Sequence, residues 1–302
     1  KYRSTHDACA YLFKCLGRKN SAKWILEGDI KGCFDNINHK WLLNNILMHK
    51  RTLEQFLKSG YVYKKRLYQN DAGTPQGGII SPTLANLTLN GMAQRLRELY
   101  WRSHTGRIHQ KFNKHRLNIT IYADDFVITA NNRQVLEEVK AIIIAFLKER
   151  GLELSQEKTV IINIDQGFNF LGWNFRKYNG KLIIRPSKES VKSIKNKVYE
   201  IVKSSMGMAQ EVLIERLNPV IRGWCNYHNK VCSKETFQKV DRYIFYQIWR
   251  WAKRRHSNKS KKWIKDRYFE KIGSRDWIFK TGNLKLYFAS STPIKRHMLI
   301  KM

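Results

Sequence analysis

Residues 119–130 have the sequence Ile-Thr-Ile-Tyr-Ala-Asp-Asp-Phe-Val-Ile-Thr-Ala, and this stretch decides how the rest of the chain is interpreted. Two short runs of apolar and β-branched residues flank the adjacent carboxylates Asp124 and Asp125, which predicts a β-hairpin with acid at its tip. Neighbouring carboxylates repel each other, and a bound divalent cation removes that repulsion. The alternative is a solvated Asp-Asp turn, because Asp tolerates the backbone of tight hairpins. From this stretch alone, both interpretations stay open.

The net charge indicates a polyanionic partner. The 302 residues contain 57 Lys and Arg against 24 Asp and Glu, a formal charge of +33, and 42% of them are hydrophobic, which indicates a globular chain. Such an excess favours nucleic acid as the partner. No apolar run approaches the ~18 residues of a spanning helix, and no signal-peptide pattern is present, so we expect no membrane partner.

The cysteine pattern predicts reduced thiols in an intracellular compartment, because an odd, sparse set in a long chain does not form a disulfide framework. The five residues are Cys9, Cys15, Cys33, Cys225 and Cys232. The spacing Cys225-x2-His228-x3-Cys232 supplies three ligands where a structural zinc site uses four. Buried thiols are therefore favoured over a zinc site.

The order of elements predicts an α+β fold with a ferredoxin-like sheet. Periodicity predicts, in order, strand 24–30, helix 38–49, hairpin 119–130, helix 132–150 and strand 159–164. This order is a split βαβ arrangement, and a Gly/Pro-rich loop with its helix is inserted at residues 71–92.

In that topology, Asp29 at the end of the first strand lies beside the Asp124–Asp125 tip on a neighbouring central strand. Three carboxylates then converge at one edge of the sheet. A two-metal centre for phosphoryl transfer requires such a set, with cations about 3.5–4 Å apart. The convergence favours function over a solvated turn.

The C-terminal part predicts a basic helical bundle, with helices over 190–203, 212–231 and 234–255. Residues 186–302 hold 27 basic and 9 acidic side chains. Near the end of the third helix, Lys and Arg are interleaved with Trp249, Trp251 and Trp263. We expect RNA contact from the basic residues rather than a merely solvated face, and we assign most of the tryptophans to the core.

Five motifs, in order, resemble those of group II intron reverse transcriptases, and the resemblance covers nearly the whole chain. The motifs are Asp29-Ile-Lys-Gly-Cys-Phe-Asp35, Gly73-Thr-Pro-Gln-Gly-Gly-Ile-Ile-Ser-Pro82, Tyr122-Ala-Asp-Asp125, Gly151-Leu-Glu-Leu-Ser-Gln-Glu-Lys-Thr159 and Phe170-Leu-Gly-Trp173. The Tyr-Ala pair before the two Asp residues argues against a viral RNA-copying polymerase. The resemblance implies a polymerase palm of the ferredoxin-like kind, followed by an α-helical thumb, also called the X or maturase domain.

The resemblance also implies roles for individual residues. The catalytic ligands of two Mg²⁺ ions would be Asp29, Asp124 and Asp125. Phe34 would be the steric gate against a ribose 2′-OH, Gln76 would contact the incoming nucleotide, and Lys158 would help to neutralise the site.

Nucleic-acid contacts are expected from two regions. Residues 170–173, including Gly172 and Trp173, resemble the primer grip. The basic residues that we expect to contact RNA are Arg250, Arg254, Arg255, Lys261 and Lys262.

These features predict an RNA-directed DNA polymerase whose partners are template RNA, intron RNA, a DNA primer and deoxynucleoside triphosphates, with splicing assistance from the thumb. The alternative is an RNA-binding maturase without polymerase activity. We expect a palm with a remnant of the fingers over residues 1–188 and a thumb over 189–302. Because residues 3–8 resemble the end of the family's second motif, we expect the upstream fingers motifs to be missing. No endonuclease-like Cys/His cluster follows the helical part, so we also expect no C-terminal endonuclease. The expected location is the bacterial cytoplasm or an organelle.

Overall fold

The structure is a computed structural model that describes residues 4–63, 66–68, 72–74, 78–295 and 297. The chain divides into two compact units. The N-terminal unit comprises Lys1–Phe168 and Lys177–Leu182, and the C-terminal unit comprises Asn169–Arg176 and Ile183–Met302.

The N-terminal unit combines short helices with one main sheet. Its helices are α1 (Thr5–Leu16), α2 (Cys33–Asn36), α3 (His39–Asn45), α4 (Lys50–Lys58), α5 (Ser81–Leu89), α6 (Met92–Tyr100) and α7 (Arg133–Lys148). Its strands are β1 (Trp24–Lys31), β2 (Tyr61–Tyr63), β3 (Arg66–Tyr68), β4 (Asn118–Tyr122), β5 (Asp125–Ala130), β6 (Glu153–Leu154) and β7 (Val160–Asn163).

Strand β1 is the centre of the main sheet. It pairs antiparallel with β5 over six residues, from Trp24 opposite Ala130 to Asp29 opposite Asp125. On its other side, β7 pairs with the first half of β1 and β6 with its last two residues. The order β4-β5-β1, completed by β7, is that of a ferredoxin-like sheet, so the predicted fold class is confirmed.

The two faces of β1 carry different kinds of side chain, because successive side chains of a strand point to opposite faces. Leu26 and Ile30 are buried in the core of this unit, which α7 covers with Val139 and Ile143. Gly28 lies between them on the same face, and a Cβ atom built there would stand 2.1 Å from Cζ of Phe126. The Phe126 ring therefore occupies the space above Gly28, and the acidic positions are left to the opposite face.

The predicted helix over residues 38–49 was wrong in its extent. Asn38 caps α3, since its Oδ1 atom accepts a hydrogen bond of 3.0 Å from the Trp41 amide, but α3 ends at Asn45. Ile46 has an extended backbone, and a separate helix, α4, begins at Lys50.

The C-terminal unit contains the three predicted helices and one unpredicted sheet. Its elements are α8 (Lys188–Ser204), α9 (Gln210–His228), α10 (Lys234–Arg255), α11 (Lys261–Tyr268), β11 (Phe269–Ile272), β12 (Arg275–Thr281) and β13 (Leu284–Lys285). Leu213, Leu217 and Ile221 of α9 are fully buried at four-residue spacing, as expected for a bundle helix.

A further three-stranded sheet precedes α8 in the chain. It consists of β8 (Phe168–Phe170), β9 (Trp173–Tyr178) and β10 (Lys181–Pro186), in the order β10-β9-β8. Within the described ranges, no helix is both long and apolar enough to cross a bilayer. All five cysteines are free thiols, and burial raises the pKa of Cys225 to about 12.

Replacing Gly28 with Ala tests the packing that fixes β1 against β5. The new methyl group would overlap the Phe126 ring, so we expect a loss of about 1–3 kcal/mol in the free energy of unfolding, measured by urea denaturation. Gly28→Ala combined with Phe126→Leu should cost less than the two changes added together, because the smaller side chain frees the space.

Gly223→Ala is the matched control, because Gly223 lies inside α9 and an added Cβ there meets no atom within 4 Å. We expect this change to stabilise by about 0.5–1 kcal/mol. Equal effects of the two alanines would contradict the packing account.

Candidate active site

An open cleft of about 660 Å³ lies in the N-terminal unit at the end of β1. Its walls include Asp29, the segment from Lys31 to Asp35, Asp124 and the turn from Ser155 to Lys158. Three segments that are distant in sequence, and that the motif analysis selected separately, therefore line one cleft.

Backbone geometry brings the carboxylates together. Asp29 and Asp125 are paired residues of antiparallel strands, so their side chains project from the same face of the sheet. Tyr122 pairs with Asp125, which leaves Ala123 and Asp124 as a two-residue hairpin turn. Ala123 has φ +53°, a left-handed conformation that is uncommon for a residue with a Cβ atom. The turn that carries Asp124 is therefore strained, and such strain clusters at functional sites.

The carboxylates interact electrostatically. Burial raises the pKa of Asp125, and the negative charges of Asp124 and Asp29 raise it further. Lys158 Nζ donates a 3.0 Å hydrogen bond to Oδ2 of Asp29, and this contact raises the pKa of the lysine. The lysine therefore compensates part of the negative charge, and the raised pKa of Asp125 shows that the compensation is incomplete.

The chemistry of this donor set fits a divalent cation of the magnesium kind, which prefers carboxylate oxygens. Within the described ranges, no three His, Cys, Asp or Glu side chains are already grouped around one metal position. In this conformation, Asp29 is paired with Lys158 instead. A cation would therefore compete with the lysine for the Asp29 carboxylate.

The glycine-rich loop packs directly on the segment that carries Phe34. The amide of Gly73 donates to the carbonyl of Ile37 at 2.9 Å, and the amide of Thr74 donates to the carbonyl of Phe34 at 2.6 Å. Gly73 has φ +73°, and a Cβ atom there would stand 2.2 Å from the Phe34 carbonyl oxygen. Only glycine allows this approach, which fixes Phe34 in the cleft wall with its ring half-buried.

Gln76 lies outside the described residues. Four further charged residues of the cleft wall were missed as site candidates, namely Lys31, Asp35, Glu153 and Glu157. Their presence in the first and fourth motifs was the available signal.

The expected primer-grip residues form a tight turn in the C-terminal unit. Leu171 and Gly172 both have positive φ, +49° and +77°, as in a type I′ hairpin turn. The hydroxyl of Tyr227 donates to the Leu171 carbonyl at 2.9 Å, and its ring stacks on Trp173 at a centroid distance of 4.6 Å.

The prediction that Trp173 contacts nucleic acid directly needs correction. Its side chain is 0% exposed, so it supports the turn from beneath. Gly172 is half-buried, and its contact with nucleic acid stays a prediction.

The basic residues of the C-terminal unit differ in availability. Arg250, Arg254, Lys261 and Lys262 are exposed, as RNA contacts would have to be. Arg255 is half-buried and partly engaged in the fold, and its contact with RNA stays a prediction. Its Nη1 atom donates to the carbonyls of Met206 and Met208, and its guanidinium lies 4.7 Å from the centroid of the Trp251 ring.

Comparison with known proteins identifies the family of this chain. Residues 1–175 match the family described as reverse transcriptase (RNA-dependent DNA polymerase). The chain belongs to the reverse transcriptase family. Residues 191–269 match the maturase-specific domain of group II introns. Reverse transcriptases generally use divalent metal ions, and the two matches together support RNA binding.

The chain is similar to the group II intron-encoded protein LtrA of Lactococcus lactis, with 24% identity over 97% of this chain and 63% of that protein. It thus spans 63% of the length of this relative. The protein YkfC of Escherichia coli is 28% identical over 50% of this chain and 46% of its own. Telomerase from Candida tropicalis in complex with telomeric RNA aligns with 16% identity and a TM-score of 0.45, covering 74% of this chain and 42% of its own.

The raised pKa of Asp125 predicts a stability change in Asp125→Asn. A carboxyl whose pKa is higher in the folded than in the unfolded state stabilises the fold below its unfolded pKa of ~3.9, and this contribution is lost as pH rises through the folded pKa. Asn has no charge to lose. Without divalent cations, the variant should therefore have the higher urea midpoint at pH 7, and its advantage should shrink as the pH falls towards 4.

Asp266→Asn, at an exposed position of α11, is the control and should show no such pH-dependent gain. Adding Mg²⁺ should raise the midpoint of the unmodified protein more than that of Asp125→Asn. A variant that is less stable than the unmodified protein at neutral pH without metal would contradict the electrostatic account.

Proposed function

We propose that this chain is the catalytic part of an RNA-directed DNA polymerase of the group II intron kind, with a C-terminal unit that binds intron RNA and assists splicing. The observation that carries the proposal is the pairing of Asp29 with Asp125, beside Asp124, at an open cleft. Membership of the reverse transcriptase family supports the same reaction.

Asp29, Asp124 and Asp125 would hold two Mg²⁺ ions, which supply activation of the attacking oxygen and support of the leaving pyrophosphate. The protein positions these ligands through the β1–β5 register and the strained turn at Ala123. Lys158, 69% exposed at its side chain, is free to move from Asp29 towards an anionic substrate.

The incoming deoxynucleoside triphosphate would occupy the cleft beside Phe34. The Phe34 ring lies in the same wall as Asp29 and Asp124, which supports its proposed role as the steric gate against a 2′-OH. The proposed contact of Gln76 with this nucleotide rests on the motif resemblance.

The C-terminal unit would bind template or intron RNA through its exposed basic side chains, and the Leu171–Gly172 turn would contact the DNA primer. The maturase match supports this division of tasks, with the boundary near residue 188. We propose a location where group II introns are spliced, in the bacterial cytoplasm or an organelle.

One observation favours the second candidate, an RNA-binding maturase without polymerase activity. Lys158 pairs with Asp29, so a cationic side chain of the protein already neutralises one of the three carboxylates. In that case the carboxylates would be an inherited feature without a catalytic task.

Replacing each carboxylate with Asn separates these functions. In this chain, or in a longer protein that contains it, Asp29→Asn, Asp124→Asn and Asp125→Asn should each lower DNA synthesis by about two to four orders of magnitude, since several kcal/mol of charge stabilisation are lost. Primer extension on an RNA template measures the synthesis, and filter binding of the same RNA should remain unchanged.

Asp266→Asn is again the control and should retain both activities. If the unmodified protein binds RNA and makes no DNA, the maturase-only function is correct. If the Asp124 and Asp125 variants synthesise DNA normally, the pair is only a hairpin turn, because Asn serves such turns equally well.

Phe34→Val should admit ribonucleotides without abolishing synthesis, because the smaller side chain leaves room for a 2′-OH. The measurement is the ratio of ribo- to deoxynucleotide incorporation, with the melting temperature recorded in parallel. If Phe34 only fills the core, sugar selectivity should stay unchanged and Phe34→Ala should cost stability, by less than the ~3–5 kcal/mol of a fully buried ring because Phe34 is half-buried.

A further inference from the structure

Trp277 stands in an unusual place for a bulky residue. It lies in β12 with φ +64°, a left-handed conformation that is costly for a side chain of this size. The β11–β12 register shifts between Glu270 and Ile272, so that Asp276 and Trp277 together face Lys271. Such a bulge re-aims a side chain, and its strain persists only where the surroundings hold it in place.

The surroundings of the Trp277 indole are aromatic, and they leave part of it in solvent. Phe245, Trp249 and Phe269 have ring centroids 5.5–5.9 Å away, at interplanar angles of 83°, 71° and 61°. None of these three rings lies parallel to the indole, so none of them stacks on it. The indole remains 36% exposed, and Lys265 Nζ lies 4.9 Å from its centroid.

The neighbouring face of α10 also presents an exposed aromatic ring among basic side chains. Arg242, Tyr246, Arg250 and Lys253 follow one another at spacings of four, four and three residues and are all exposed, Tyr246 by 56%. They lie on one side of the helix. Tyr246 also contacts Phe245, whose ring meets Trp277.

The local charge is strongly positive. Residues 250–285 hold 13 basic and 3 acidic side chains. If Trp277 were only a core residue at the edge of the aromatic cluster, neither the positive charge around it nor its strained backbone would be needed. Exposed rings beside Lys and Arg are the combination that binds single-stranded nucleic acid, with bases on the rings and phosphates on the cations.

We propose that Trp277, Tyr246, Arg250, Lys253 and Lys265, the aromatic–basic surface, bind unpaired RNA, with one base stacked on the Trp277 indole. The surface extends beyond residue 269, where the match to the maturase-specific domain ends. This inference deepens the RNA-binding part of the proposed function. Paired bases are not available for stacking, so the surface selects single strands or loops over duplex.

The test uses the whole chain, a short unstructured oligouridine RNA and an RNA duplex of the same length. Trp277→Gly removes the indole, and glycine adopts the local φ without strain. We expect about 5- to 150-fold weaker binding of the oligouridine, the size of one base–aromatic stack, with unchanged binding of the duplex. The dependence of affinity on salt should stay the same, because no phosphate contact is lost.

Two further variants separate stacking from charge and from loss of apolar surface. Lys265→Ala should weaken binding and also lower the salt slope by up to about 0.7–0.9, one phosphate contact. Ile272→Ala removes a side chain of the same hairpin that is 42% exposed and has no ring, and it should leave binding unchanged.

Cross-linking of 5-iodouridine-substituted RNA to the unmodified protein gives a result that does not depend on any variant folding. Cross-links should map to Trp277 or Tyr246, and cross-links confined to other regions would overturn the inference. So would Trp277→Gly binding oligouridine like the unmodified protein, or losing single-strand and duplex binding equally. If the unmodified protein binds no RNA at all, the RNA-binding part of the proposed function also fails.

Discussion

The repulsion between carboxylates that the β1–β5 register holds side by side is the constraint on which this structure depends. Asp29 and Asp125 are paired residues of central strands, and Asp124 follows from the tight turn before β5. Burial of Asp125 makes the repulsion costly, and Lys158 relieves it only in part. The protein maintains the arrangement because the opposite face of the same strands is firmly packed, with the Phe126 ring over Gly28. The stability of the core thereby offsets the repulsion between the carboxylates, which is unfavourable when no cation is bound.

The two units differ in how they use charged residues. The N-terminal unit places a few charges precisely, and it uses glycine where backbones approach closely, as at Gly73 beside Phe34. The C-terminal unit presents many cations on a stable helical scaffold. Some of its polar groups serve that scaffold instead, as Arg255 does for the carbonyls of Met206 and Met208. A reaction on a long polyanion requires a few precisely placed charges for the chemistry and many cations spread over a surface for binding.

The sequence predicted the sheet topology and the convergence of Asp29 with the Asp124–Asp125 tip. Both predictions were possible because strand periodicity and motif order can be recognised in a single sequence. It did not predict the break between α3 and α4, since apolar Ile46 and Leu47 continue across it without Gly or Pro. The β11–β13 sheet was also missed, because its strands are short, charged and interrupted by a bulge. The assignment of Trp173 as a direct nucleic-acid contact failed for another reason, because residue type does not show that an indole is buried.

Binding of Mn²⁺ tests most directly whether the three carboxylates form one divalent-cation site. Electron paramagnetic resonance of free Mn²⁺, titrated with this chain, counts bound ions without requiring DNA synthesis. We expect the protein to bind Mn²⁺ and Mg²⁺ to displace it. Asp29→Asn, Asp124→Asn and Asp125→Asn should each weaken the binding, whereas Asp266→Asn should not. Lys158→Met should strengthen it, because the ammonium group competes for Asp29. Binding that is the same in all these variants would contradict the account.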